Sequence, residues 1–292
     1  MQGRTALRRI CCTGMLVWAA IALLPAIAQA SEQVSSNWAG QLVTARQGRA
    51  RFATVSGTWV VPTATCTAGE RAYSAVWVGL GGYREGSQGL EQLGTEQDCA
   101  TNGSAAYSAW FELLPAAPVS IKGVSVHPGD TVSASATVAG HSVTFRLRDL
   151  TTGARYATTR RAPTIDVSSA EWIVEAPSSC SSDGSCTTLP LAKIGTVAFT
   201  SATARSGRQA RPAGDTAFSD TALKLEQDSV TFSGRPFDAE AEEAASGPTR
   251  TLLTASPTAP AAPLGAFSVS LTEQTTQLPA PSVPTLPGFG RR

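Results

Sequence analysis

The chain has 292 residues, with 23 Lys and Arg against 22 Asp and Glu, so its formal net charge is +1. Charged residues make up 15% of the sequence, and the basic ones are scattered rather than gathered into a stripe between aromatic residues. Nucleic acids and anionic membrane surfaces are bound by concentrated positive charge. The composition therefore argues against nucleic acid and membrane surfaces as partners.

The first 30 residues have the pattern of a secretory signal. Arg4, Arg8 and Arg9 form a basic head, an apolar run follows over residues 10–24, and Ala28-Gln29-Ala30 ends the segment. This order predicts cleavage after the last alanine, with an uncleaved anchor as the alternative. No later apolar run approaches the ~20 residues needed to span a bilayer. We expect a secreted monomer, extracellular or periplasmic, without membrane attachment.

Short alternating runs of Val, Thr, Ser and aromatic residues predict β-strands along the rest of the chain. They cover residues 53–61, 75–79, 107–113, 132–138, 143–147, 171–175, 193–200, 222–226, 230–232 and 266–271. Turn signals such as Pro128-Gly129-Asp130 separate them. A helical period occurs only weakly, at residues 238–245. The pattern predicts an all-β domain, either a sandwich or a barrel.

Composition changes toward the C-terminus. We expect one folded domain over residues 31–272, with a Pro- and Ala-rich insertion at about 246–264. Residues 273–292 repeat Pro with Thr and Ser, which predicts a disordered tail.

Four cysteines remain after the predicted signal: Cys66, Cys99, Cys180 and Cys186. An even number in an exported protein favours two disulfides. The short spacing of Cys180 and Cys186 favours a local bridge, which leaves Cys66 to pair with Cys99, although three pairings are possible. A zinc site is the alternative, but the sequence has no Cys-x2-Cys pair and only two histidines.

The scarcity of histidine restricts the possible chemistry. His127 and His141 both lie at turn signals, and the sequence has no G-x-S-x-G segment and no H-E-x-x-H segment. A serine triad or a zinc peptidase would need such features, and the predicted disulfides leave no free thiol. Asp-Thr-Gly and Asp-Ser-Gly segments are absent as well. The remaining candidates for catalysis are carboxylates beside tryptophans. A partly apolar cleft shifts the pKa of such a carboxylate, so that it can act as an acid or a base.

Several segments resemble, in order, the motifs of the glutamic peptidase (eqolisin) family. They are Ser36-Asn37-Trp38-Ala39-Gly40, Trp77-Val78-Gly79, Gln92-Leu93-Gly94, Ala109-Trp110-Phe111-Glu112, Leu150-Thr151-Thr152-Gly153, Ala170-Glu171-Trp172-Ile173-Val174-Glu175 and Val197-Ala198-Phe199-Thr200. The resemblance covers residues 35–203 well. Each motif is weak alone, and their order and spacing make the match specific. It implies a concanavalin-like β-sandwich of two packed antiparallel sheets with a peptide-binding cleft.

The resemblance also implies the site residues. The catalytic glutamate of the family falls on Glu171, not Glu175, and its catalytic glutamine falls on Gln92. Trp38 and Trp77 match cleft tryptophans, and a glutamate near the site matches Glu112.

We expect Trp110, in the same motif as Glu112, to contact substrate too. The chain departs from the family pattern at Glu96 and Ser108, where aspartates are usual. These departures put secondary carboxylate interactions in doubt, not the pair of Glu171 and Gln92.

A mechanism without metal or cofactor follows from that pair. Ionised Glu171 would take a proton from the water that attacks the scissile carbonyl, then pass it to the leaving nitrogen. The Gln92 amide would donate to the developing oxyanion. The resemblance further implies a pepstatin-insensitive endopeptidase with an acidic pH optimum and protein or peptide substrates.

Two other classes of function fit the same set of carboxylates and tryptophans. A carbohydrate-active or carbohydrate-binding sandwich would use Glu112 and Glu171 as its carboxylate pair and would not need Gln92. The second alternative is a β-sandwich that binds a ligand without catalysing a reaction. Without the motif context, Glu171 and Gln92 would be ordinary polar strand residues, and the tryptophans would be core or rim residues.

Overall fold

The computed structural model describes residues 31–46, 51–181, 183–231 and 248–279. The predicted signal, the weakly helical stretch at 238–245 and most of the Pro-rich tail lie outside the described residues. Within these ranges the chain forms 18 strands and no helix. Accordingly, the described ranges offer no apolar helix with the length to traverse a bilayer.

The strands show two patterns of burial: many alternate buried and exposed residues, as expected with one face on a core, and the central ones are buried along most of their length. Their bounds are β1 Ser31–Ser35, β2 Trp38–Ala45, β3 Phe52–Val60, β4 Ala75–Gly81, β5 Leu90–Cys99, β6 Ala105–Leu113, β7 Val119–Ser120, β8 Thr131–Ala139, β9 Ser142–Asp149, β10 Arg155–Arg161, β11 Ser169–Glu175, β12 Ser178–Cys180, β13 Cys186–Thr188, β14 Thr196–Ser206, β15 Gln209–Pro212, β16 Phe218–Thr231, β17 Thr249–Pro257 and β18 Phe267–Gln277.

Sixteen of the strands form one hydrogen-bonded path in the order β10-β9-β8-β3-β14-β18-β17-β16-β2-β11-β4-β5-β6-β7, with β1 on β16 and β15 on β14. The path doubles back, so that β3 and β8 pack face to face on β4, and β8 also packs on β5. We call β16, β2, β11, β4, β5, β6 and β7 the front sheet. The back sheet comprises β10, β9, β8, β3, β14 and β18.

The main hydrophobic core lies between the two sheets. Its largest members are fully buried aromatic side chains from both sheets: Trp59, Trp172, Phe52, Phe145 and Phe199. Two indole N–H groups bond across the core. The indole of Trp59 donates to the Thr95 hydroxyl at 3.1 Å, and that of Trp172 donates to the Ser56 carbonyl at 2.8 Å. These bonds satisfy buried polar groups and fix how the sheets face each other.

The structure confirms the all-β sandwich, and antiparallel pairing dominates it. The exception is β1, which pairs parallel with β16. Nine strands occupy predicted stretches, and the other nine were not predicted: β1, β2, β5, β7, β10, β12, β13, β15 and β17. Residues 222–226 and 230–232 were predicted as two strands, and this was wrong because β16 runs unbroken through Thr231.

Strand β17 lies where the sequence predicts a Pro- and Ala-rich insertion. It runs from Thr249 to Pro257 and pairs with both β16 and β18. The last strand also extends to Gln277, five residues past the predicted end of the domain. The prolines and alanines of residues 258–263 follow this strand and form the turn before β18. The exact domain limits stay a prediction.

Two disulfides join Cys66 to Cys99 and Cys180 to Cys186. These are the bridges that sequence proximity favours. The first connects the segment after β3 to the end of β5, and the second closes the β12–β13 hairpin, where its cysteines face each other in register.

Candidate active site

Four residues form a straight row across the front sheet. Glu171 on β11 is in register with Gly79 on β4, Gly79 with Gln92 on β5, and Gln92 with Glu112 on β6. Residues directly opposite each other on antiparallel strands project to the same face. Two strand spacings of about 4.8 Å separate Glu171 from Gln92, which puts their backbones about 10 Å apart with a glycine between them.

This row lies on the outer face of the front sheet, away from the main core. On the same face a second hydrophobic cluster packs around the row. Its members are Leu42, Ala75, Trp77, Leu90, Trp110, Ile173 and Leu223, with Trp38 and Tyr83 against them. The outer face is therefore an apolar surface into which a few polar groups are set, which is the usual composition of a ligand cleft. We call it the front face.

Glu171 is fully buried, with 0% of its surface exposed. Neither of its carboxylate oxygens has a hydrogen-bond partner among the described residues. Burial raises the pKa of Glu171 well above 4.5. The nearby Ser169 hydroxyl lowers the pKa in part, although it does not reach hydrogen-bond geometry, and the charges of Asp166 and Glu91 raise it further. In this conformation Glu171 keeps its proton in acid.

Gln92 is held by Glu112. Its Nε2 donates to Oε2 of Glu112 at 2.6 Å, and its own Oε1 is buried without a partner among the described residues. A carboxamide has two N–H donors, so this bond fixes the amide and leaves one donor available. Burial raises the pKa of Glu112, the bond from Gln92 lowers it, and the charge of Glu96 raises it again.

The two predicted cleft tryptophans form one unit with Glu175. The ring of Trp77 meets that of Trp38 edge-on, with 5.0 Å between centroids. The Trp77 indole N–H donates to Oε2 of Glu175 at 2.6 Å, and Asn37 donates to its other oxygen at 3.4 Å. Burial raises the pKa of Glu175 to about 7, and the Trp77 bond offsets part of the rise. Glu175 thus orients the tryptophan pair.

Trp77 also covers the gap between Glu171 and Gln92. A Cβ placed on Gly79 would lie 2.8 Å from Cζ3 of the Trp77 ring and 3.3 Å from Cβ of Gln92. The ring therefore leans over the glycine, and only a residue without a side chain fits beneath it. Trp110, the remaining predicted tryptophan, packs in the same cluster and is 5% exposed.

The departures from the family pattern, Glu96 and Ser108, contact each other. They are in register on β5 and β6, and the Ser108 hydroxyl donates to Glu96 at 3.0 Å. Burial raises the pKa of Glu96, and the Ser108 bond lowers it in part. Burial and the charge of Glu96 together raise the pKa of Asp98 to about 6. Two carboxyls with raised pKa values, Glu96 and Asp98, therefore follow Gln92 along β5.

A second pair of carboxyls, Glu91 and Asp166, lies next to the row but on the core side of β5. Asp166 belongs to no sequence motif. Glu91 is 1% exposed and accepts a long 3.4 Å bond from the Asp166 backbone N–H. Burial raises the pKa of Glu91 to about 8. Burial also acts to raise the pKa of Asp166, but bonds from Ser87 at 2.7 Å and Ser168 at 2.9 Å outweigh it and lower that pKa. The proton therefore resides on Glu91.

A hydrogen bond joins Tyr83, which packs against the front-face cluster, to the edge strand β1. The Tyr83 hydroxyl, in the β4–β5 loop, donates to Oε1 of Gln33 on β1 at 2.8 Å. Four strand-to-strand steps separate β4 from β1, so the front sheet must curve strongly for these groups to meet. The sequence offered only the Gly81-Gly82-Tyr83 turn as a signal, and neither residue of the bond was predicted.

The positions of Glu112 and Glu171 do not suit the carbohydrate-active alternative. They lie three strand spacings apart in the row, roughly 14 Å between backbones, with Gln92 and Gly79 between them. Glu112 is bonded to Gln92 rather than directed at Glu171. The two carboxyls of a glycosidase, about 5 to 9.5 Å apart, flank one glycosidic bond, whereas Gln92 lies between these two glutamates and occupies the Glu112 carboxyl.

Comparison with known proteins identifies the fold and then the family. Crystal structures of scytalido-glutamic peptidase with a transition-state analogue inhibitor, and of an eqolisin-family peptidase with the tripeptide Ala-Ile-His, match with TM-scores of 0.58 and 0.55. Their identities to this chain are 23% and 21%, and each match covers 82% of this chain and 100% of the other. The fold is thus that of the glutamic peptidases.

The profile of the Peptidase A4 family matches residues 36–235. This chain therefore belongs to the Peptidase A4, or eqolisin, family of glutamic peptidases. Scytalidopepsin B of Scytalidium lignicola is 30% identical over 166 residues, which are 55% of this chain and 60% of that protein. The chain thus aligns with less than two thirds of the length of this relative.

Proposed function

We propose that this protein is a secreted acid endopeptidase that cleaves peptide bonds with Glu171 and Gln92. The observation that carries the proposal is the row itself, in which these two side chains flank Gly79 on an apolar face. A backbone separation of about 10 Å would let one peptide group lie between a proton-transfer group and an amide donor once the Trp77 ring, which covers Gly79, moves aside. No other pair of predicted site residues has this arrangement.

Each member of the row has a chemical task. Glu171 transfers a proton from the attacking water to the leaving nitrogen, and Gln92 donates its free N–H to the oxygen of the tetrahedral intermediate. Glu112 holds the amide so that the donor is oriented before the reaction begins. Preorganised donors of this kind avoid the cost of reorienting during the reaction.

Substrate entry must change the surroundings of Glu171. Its pKa is raised because it is buried, and a base must be ionised before it can accept a proton. Opening the Tyr83–Gln33 contact would admit water and a peptide, and hydration would lower that pKa toward its ordinary range. The proposed reaction therefore begins with opening of the β4–β5 loop.

The acidic pH range is supported by the other carboxyls of the front face. Glu112, Glu96, Asp98 and Glu175 all have pKa values raised first of all by burial. In acid these groups are neutral. As the pH rises they become negative together and repel one another, which disfavours the compact cleft. We expect activity to fall as the pH approaches 7.

Export is supported by two features. The N-terminal pattern has the order of a secretory signal, and the two disulfides are of the kind that persists in oxidising compartments. Peptides are the proposed substrates because related structures hold a peptide-based transition-state analogue and a tripeptide.

The test is cleavage of a denatured protein by the mature chain between pH ~2 and 7 with pepstatin present. Glu171→Gln should lower kcat by at least about 100-fold, because it removes the proton-transfer group. Gln92→Ala should lower kcat by about 100- to 1,000-fold, because it removes the oxyanion donor. Glu70→Gln, an exposed carboxyl outside the front face, is the matched control and should leave kcat unchanged.

Thermal unfolding of each variant separates lost chemistry from lost folding. Full turnover by Gln92→Ala would refute the Glu/Gln pair. Complete inhibition by pepstatin would indicate a different catalytic class, and release of sugars from a polysaccharide, with no peptide cleavage at any pH, would favour the carbohydrate-active alternative.

A further inference from the structure

The outer face of the back sheet has a charge pattern unlike that of the front face. Strands β3, β8, β9 and β10 contain five arginines and a single carboxylate, Asp149. That carboxylate is fully buried and accepts bonds from Thr151 and Thr152. The exposed face of these strands therefore carries positive charge without a neutralising acid.

Three of the arginines gather at one place. Arg148 on β9 is directly opposite Arg155 on β10, and Arg146 projects from the same face two residues before Arg148. That spacing is about 7 Å along a strand. All three are exposed, and none makes an ion pair or side-chain hydrogen bond with the part of the chain that the structure describes. Like charges directly opposite each other on neighbouring strands are destabilising.

The three arginines line an open groove of about 600 Å³. Three serines on the neighbouring strands complete it. They are Ser56, Ser133 and Ser135, and register places Ser133 beside Arg148 and Ser135 beside Arg146. The main core and both sheets separate this arginine groove from Glu171, so it is not part of the cleft on the front face.

The lining indicates which ligand would fit. Guanidinium groups bind carboxylate, sulfate and phosphate oxygens in pairs. Three arginines on adjacent positions of two paired strands match more than one negative charge. The serine hydroxyls both donate and accept, as sugar hydroxyls do. The one aromatic residue, Tyr156, stacks on Phe111 in the core with ring centroids 6.1 Å apart, so no aromatic face is free to stack on a nucleic acid base.

We propose that the arginine groove binds an acidic polysaccharide. Its anionic groups would lie between Arg146, Arg148 and Arg155, where they remove the repulsion of the opposed pair, and its hydroxyls would bond to the three serines. Arginine does not lose its charge in proteins, so the groove stays positive at any pH that titrates the carboxyls of the front face. An exported protein with this groove would be retained on an anionic glycan matrix. The inference does not depend on peptide cleavage.

The test is binding of the mature protein to heparin and to polygalacturonate, with neutral dextran and oligo(dT) as comparison ligands. The variant Arg146→Gln/Arg148→Gln/Arg155→Gln should weaken binding to the acidic polysaccharides by about tenfold or more and flatten its salt dependence. The matched control is Arg51→Gln/Arg71→Gln/Arg208→Gln, which changes the net charge equally at three other exposed positions. It should retain affinity within about twofold.

Equal loss in both triple variants would overturn the proposal, because it would show attraction to overall charge alone. Failure of the wild type to bind either acidic polysaccharide would overturn it too, as would equally tight binding of oligo(dT) or dextran. The groove variant should unfold at the wild-type temperature or higher, since it removes a like-charge pair. Peptide cleavage should be unchanged in it, so failure of this proposal and failure of the proposed peptidase activity can be told apart.

Discussion

Replacing Glu91 by glutamine should make the protein less sensitive to alkaline unfolding. Glu91 is buried beside Asp166, and burial raises its pKa from 4.5 to about 8. The folded state thus holds a proton that the unfolded chain releases above pH 4.5. Below pH 4.5 the raised pKa does not change the free energy of unfolding, because Glu91 is protonated in both states. Between pH 4.5 and about 8 the free energy of unfolding falls as the pH rises.

The size of the effect follows from the pKa. A tenfold change in ionisation equilibrium corresponds to about 1.4 kcal/mol, so a pKa raised from 4.5 to about 8 predicts a loss of about 3 to 5 kcal/mol between pH ~3.5 and 8. A glutamine side chain at this position would resemble the protonated carboxyl in shape and would not titrate. The Glu91→Gln variant should therefore escape this loss and keep the same stability as wild type in acid.

The assay is urea unfolding of wild type, Glu91→Gln and the exposed control Glu70→Gln at pH 3.5, 6 and 8, with free energies extrapolated to water. Wild type and control should lose stability in parallel, and Glu91→Gln should lose about 3 to 5 kcal/mol less. Parallel curves for all three proteins would refute the assignment of the proton to Glu91. A variant destabilised equally at every pH would show a packing defect instead.

Three further changes test the geometry of the front face. Gly79→Ala places a Cβ 2.8 Å from the Trp77 ring and should lower kcat/KM by about 100-fold through displacement of the row; a normal kcat/KM would show that the gap is not used. Glu112→Ala removes the acceptor that holds the Gln92 amide, so steady-state kinetics should show a roughly tenfold lower kcat with little change in KM. Tyr83→Phe removes the bond to β1, and hydrogen exchange of the β4–β5 loop should quicken by roughly 2- to 10-fold. Unchanged exchange would mean that this bond does not hold the loop.

Local patterns were enough to predict much of the fold. Period-2 alternation indicated strands such as β3, β8 and β9, because each has one face on the core and the other in solvent. Strand β5 did not show the alternation, since both of its faces are covered and six of its first seven residues are buried. Strand β17 was missed because its flanking prolines and alanines resemble a linker, whereas pairing with two neighbours makes it a strand.

The predicted site residues do come together on one face of the front sheet. Glu171, Gln92 and Glu112 share a row, and the motif order of the family was the source of that expectation. Tertiary structure alone supplied Asp166, which lies between strands with no motif of its own, and the burial that keeps Glu171 protonated in this conformation. Burial depends on which segments, remote in sequence, pack over a residue.

The sequence by itself determined the class of the fold and the residue types available for proton transfer, because these depend on composition and short-range order. Only the tertiary structure decided which charges are neighbours. The basic residues are scattered in sequence, yet strand pairing sets Arg148 against Arg155 on one sheet while carboxyls gather on the other. Register brings together residues that are distant along the chain, and no local pattern specifies register between strands that are far apart in sequence.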